Sequence, residues 1–79
     1  MTEFTADGDK LDELKKMTNI ATDLGLSEKM RTQAINGLGE MGSHEALVAL
    51  LNLAANERLH IPERELALKR AKDIVKKGI

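Results

Sequence analysis

The chain is predicted to be all-α, a single stack of four short antiparallel helices. Three observations predict it. In four separate stretches apolar residues recur at steps of three and four, the period of an amphipathic helix. Nowhere do apolar and polar residues alternate at period two, as a half-buried strand requires. Between the stretches stand serine, aspartate, proline and glycine at the positions where helices start and stop. With 79 residues there is room for one domain. A chain of that size buries only about 60% of the surface its unfolded form exposes, so the core is thin.

Residues 1–8 are polar and are expected to form a flexible lead-in, leaving 9–79 as the helical domain. Asp9 is the expected N-cap of the first helix, with Asp12 and Glu13 complementing the dipole of its first turns. Leu11, Leu14, Met17, Thr18, Ala21 and Leu24 mark its inner face, and Gly25 is expected to close it in the left-handed conformation. Ser27 caps the second helix, whose face runs Met30, Ala34, Leu38, Met41 with Ile35 beside it. Gly37 and Gly39 lie inside this helix, each costing about 0.8–1 kcal/mol relative to alanine. Their presence predicts a close approach of a neighbouring backbone, from the first or the fourth helix, and a loss of stability on substitution by alanine. Gly42 ends the second helix and Ser43 caps the third, expected over about His44–Asn56. The third helix is apolar almost all round, which predicts burial on more than one side. After the connection Asn56–Ile61, Pro62 opens the fourth helix. Ala67, Ala71, Ile74 and Val75 mark its inner face and Gly78 its end. Leu14, Ala34, Leu38, Leu47, Leu50, Ala67, Ala71 and Ile74 are the expected core, and Met17, Met30 and Met41 are expected to fill it.

Composition excludes several functions. There is no cysteine, hence no disulfide, thiolate metal site or cysteine nucleophile. The formal net charge is -1, and the single aromatic residue is Phe4, so a basic, base-stacking nucleic-acid surface is not expected. The longest apolar run, Ala46–Leu51, is far short of the roughly 18 residues that suggest a membrane span. The N-terminus has no basic segment followed by an apolar one, so no secretory signal is read there. A soluble, cytoplasmic protein without a membrane or nucleic-acid partner is expected.

The chain repeats internally. Arg31, Ala34, Leu38 and Met41 recur as Arg64, Ala67, Ala71 and Ile74 at a shift of 33, and Leu11, Leu14 and Met17 as Leu47, Leu50 and Leu53 at a shift of 36. From Arg31 to Leu53 the order is Arg31, Ala34, Leu38-Gly39, Gly42, then Glu45-Ala46-Leu47 and Leu50-Leu51. This resembles a short HEAT-like repeat of the phycobilisome-lyase type: one full repeat with a half-repeat on either side. Where that family has Asp-Pro at the turn, this chain has Ser43-His44, and its inter-repeat loop is longer, through His60 and Ile61. The resemblance implies a right-handed α-solenoid fragment and a non-catalytic protein–protein interaction module or small scaffold. The alternative is an accessory or regulatory subunit of a larger enzyme.

Catalytic motifs are absent. His44 and His60 read as solvated turn residues and have no metal-ligand spacing. Gly37-Leu38-Gly39-Glu40-Met41-Gly42 lies within a helix and follows no strand, so it is no dinucleotide fingerprint. No catalytic, cofactor-binding or metal-binding residue is therefore assigned, and no cofactor is expected. Charge is more informative: residues 1–28 carry -4, residues 29–56 carry 0 and residues 57–79 carry +3. Two features are candidates for a partner surface. Val48, Leu51 and Ala55 lie opposite the expected inner face of the third helix, suited to self-association or to an apolar protein partner. Lys69, Lys72 and Lys76 form a basic stripe on the outside of the fourth, suited to an acidic one.

Overall fold

A computed structural model describes residues 6–78, with side chains from Asp12 onward. It contains α1 (Ala6–Thr22), α2 (Glu28–Met41), α3 (His44–Ala54) and α4 (Ile61–Lys77), and no strand among the described residues. No helix of the described residues is long and apolar enough to cross a membrane.

The helix boundaries follow local chemistry. Ser27 Oγ accepts from Met30 N at 3.2 Å and Ser43 Oγ from Ala46 N at 3.1 Å, so each serine occupies one of the N–H groups that a helix start leaves free. Gly42 (φ 63°) and Gly78 (φ 77°) end α2 and α4 in the left-handed region. The first helix departs from expectation at both ends. It already includes Ala6, Asp7 and Gly8, so Asp9 is not its cap, and it stops at Thr22. Gly25 is not left-handed. Instead Asp23 Oδ1 accepts from Gly25 N at 2.9 Å and Asp23 O from Leu26 N at 3.1 Å, an aspartate-built turn that leaves Leu24 half exposed. The remainder of the expected lead-in, residues 1–5 with Phe4, and the side chain of Leu11 lie outside the described residues. The third helix ends at Ala54 rather than Asn56, whose Oδ1 accepts from Arg58 N at 2.9 Å to start the loop.

The helices form two hairpins. The largest packing surfaces join α1 to α2 and α3 to α4, α2 also lies along α4, and α1 barely touches α3. The core between them holds Ala34, Leu38, Leu50, Ala67, Ala71 and Ile74 as expected, together with Ala21, Ile35, Ala46, Ala49, Leu53 and the loop residue Leu59. Leu14 and Leu47 lie at its edge, only partly buried. Met30 and Val75 are exposed, contrary to expectation. Each sits one position beyond the stripe its helix buries, 31/34/35/38 in α2 and 63/67/71/74 in α4. Nor is α3 buried all round: Val48, Leu51 and Ala55 face solvent.

Gly37 and Gly39 do mark close approaches, from α1 and α4, but by side chains rather than backbone. A Cβ at Gly37 would lie 2.9 Å from Met17 Sδ, and one at Gly39 would overlap the Arg70 guanidinium.

Candidate interaction surface

A buried pair of charged residues joins the two hairpins. Arg31 begins the buried stripe of α2 and Glu63 that of α4, and both side chains are almost wholly out of solvent. Arg31 Nε and Nη2 donate to Glu63 Oε2 at 3.1 and 2.7 Å, while Nη1 donates to the Leu26 carbonyl. Glu63 Oε1 accepts from His60 N at 3.4 Å, closing the first turn of α4. One guanidinium thus ties the α1–α2 turn, α2 and the start of α4 together. The hydrogen bond to Glu63 raises the Arg31 pKa above its ordinary value, burial opposing. Burial pushes the Glu63 carboxyl up, but the Arg31 hydrogen bond and charge, with the His60 N–H, outweigh it and hold it below the ordinary carboxylate range. The pair did not emerge from the sequence reading because charged residues are rarely buried. The signal was nonetheless present: each charge occupies the first position of an otherwise apolar stripe.

With α1 packed on α2 and α3 on α4 and α2 but the two hardly on each other, a groove of about 570 Å³ opens between them. Leu14, Val48, Ala49 and Leu53 give it an apolar lining, and Lys15, Asn19, His44, Glu45 and Asn52 lie at its polar margins. Thr18 Oγ1 donates to Leu14 O at 2.8 Å and Thr22 Oγ1 to Thr18 O at 3.0 Å, so the threonines of the α1 wall spend their protons on their own helix. The groove offers apolar area with few free donors and a nearly balanced charge. That suits an apolar side chain or a helix edge better than a polar metabolite. No cluster of metal-ligating side chains occurs among the described residues.

The sequence-derived surface residues divide between two places. Val48 lines the groove, while Leu51 and Ala55, also exposed, do not. Lys69, Lys72 and Lys76 are all exposed along α4. Lys76 also borders a smaller hollow of about 300 Å³ where the C-terminal ends of α2 and α4 meet, beside Arg70, Lys77, Glu40 and Asp73. Lysines there complement two carbonyl-rich helix ends. No family model, curated protein or solved structure matches the chain.

Proposed function

We propose that this protein is a non-catalytic protein–protein interaction module built from two HEAT-like helical hairpins, and that it receives an amphipathic segment of a partner protein in the groove between α1 and α3. The observation that carries the reading is the groove itself: an apolar trough of about 570 Å³ with one large exposed side chain, Val48, at 44% exposure. Isolated exposed apolar residues are ordinary, but a continuous apolar concavity on a small domain is a feature of binding sites. The order of the two hairpins, with α2 laid along α4, supports the HEAT-like part of the reading, as does the recurrence of the Arg31 and Arg64 segments at a shift of 33.

Val48→Glu places a charge in the trough without touching the core. The test retains proteins from an extract of the source cells on the immobilised full chain and compares wild type with Val48→Glu, both checked for unchanged helical circular dichroism. A stoichiometric partner whose retention falls about tenfold or more in Val48→Glu is expected. If every protein held by the wild type is held equally by the variant, the groove is not the docking site.

A further inference from the structure

The outer face of α4 carries a second apolar stripe that the monomer does not use. Ile61, Leu68 and Val75 are 65%, 40% and 59% exposed. They stand seven residues apart, two helical turns, and so line up along one side of the helix. The buried residues Glu63, Ala67, Ala71 and Ile74 occupy a different side. Next to the outer stripe run exposed Glu65 and Lys72, then Lys69 and Lys76. Arg64 Nε donates to the Ala54 carbonyl at 3.0 Å, which sets the antiparallel register of α3 against α4. Three residues back from Ala54 and four forward from Arg64, Leu51 and Leu68 come nearly level, so Leu51, 46% exposed, extends the apolar strip onto α3.

We infer that a second copy of this chain covers this face, with the two α4 helices antiparallel about a two-fold axis near Leu68. The stripe is self-complementary on reversal: Leu68 meets its own counterpart, and Ile61 meets Val75. The charges reverse with it, since the same register brings Glu65 of each copy within one residue of level with Lys72 of the other, while Lys69, about 100° round the helix from the stripe, points away from its own counterpart. Parallel pairing would instead set the Glu65–Lys72 edges of the two copies on opposite sides of the contact, where they cannot meet. Reversal also opposes the helix dipoles favourably. A helix of 17 residues is about 25 Å long, so the pair buries on the order of 800–1,000 Å² in total, the size of a weak, reversible interface. The pairing leaves the α1–α3 groove open and is independent of what binds there.

Sedimentation equilibrium on the full chain, up to about 1 mM, is expected to show a monomer–dimer equilibrium in the micromolar range. Leu68→Glu raises the dimer dissociation constant at least about 30-fold with the helical signal unchanged. Because Leu68 has no core role, the fold should tolerate the change; Val75→Lys gives the same readout should it not. Glu65→Lys or Lys72→Glu alone weakens the dimer a few-fold, and the double exchange restores it towards wild type, as antiparallel opposition requires. A chain that stays monomeric throughout overturns the proposal. So does a dimer that both Leu68→Glu and Val75→Lys leave intact, or one that Val48→Glu abolishes while Leu68→Glu does not. A double exchange no tighter than the weaker single variant overturns the antiparallel register.

Discussion

Glu63 does three things with one carboxylate: it pairs with Arg31, accepts the His60 N–H and fills space under the start of α4. Such a group links stability to pH, and the sign follows from its depressed pKa. Unfolded, it titrates near about 4.3. Its stabilising effect is therefore present above that value and is lost as the pH falls through the lower folded-state pKa. Thermal melts of the wild type should hold level from neutrality to about pH 5 and fall below about pH 4. Glu63→Gln keeps the shape but leaves the Arg31 charge without a counter-ion, so its melting temperature at pH 7 should be lower by at least about 12 °C. Its acid limb should also be shallower than that of the wild type. Parallel acid limbs in the two proteins would show that another carboxylate governs the transition.

At the scale of one helix, α2 shows how an unfavourable local choice is tied to its neighbours. Two glycines in its interior cost about 0.8–1 kcal/mol each in helix propensity. They stand where Met17 and Arg70 cross the helix. Both intruding groups are the ends of flexible side chains, and the buried Arg70 Nε has no hydrogen-bond partner to lose by moving. The expected penalty for alanine is therefore small, the reverse of what a backbone contact would impose. Gly39→Ala in an Arg70→Ala background should gain close to the full propensity difference of about 1 kcal/mol, and in the wild-type background clearly less. Chemical denaturation of the four proteins of this cycle measures the difference. Equal gains in both backgrounds would mean that Arg70 does not press on Gly39.

At the scale of the molecule, two hairpins share one interior. Arg31–Glu63 and the α2–α4 packing cross between them, and the buried apolar residues of both hairpins, among them Leu38, Leu50 and Ile74, form one cluster. Unfolding should thus be all-or-none. Calorimetry should give one transition with a van't Hoff enthalpy equal to the calorimetric one, about 55 kcal/mol near 60 °C for a chain of this size. Two resolved transitions, or a van't Hoff value well below the calorimetric one, would show that the hairpins melt separately.

The helix count, the serine caps, the glycine ends at Gly42 and Gly78 and half of the core were legible in the sequence, because each depends on residues within a turn or two of one another. Periodicity carried most of the inner faces for the same reason. It misplaced Met30 and Val75 because a stripe of apolar residues has no sharp edge: adjacent positions differ by about 100° around the axis, and only the neighbour's location says which side is covered. The start of α1 and the aspartate-built turn after it were missed because the aspartates could cap, turn or stay in solvent with equal local sense. What only the tertiary structure decided is everything that depends on the gap between helices. It brought Arg31 and Glu63 together across 32 positions, set α1 apart from α3 to open the groove, and left Val48 on that groove. It also left Ile61, Leu68 and Val75 facing outward. Distances between elements are fixed by how whole surfaces pack, and no local pattern in a chain encodes that directly.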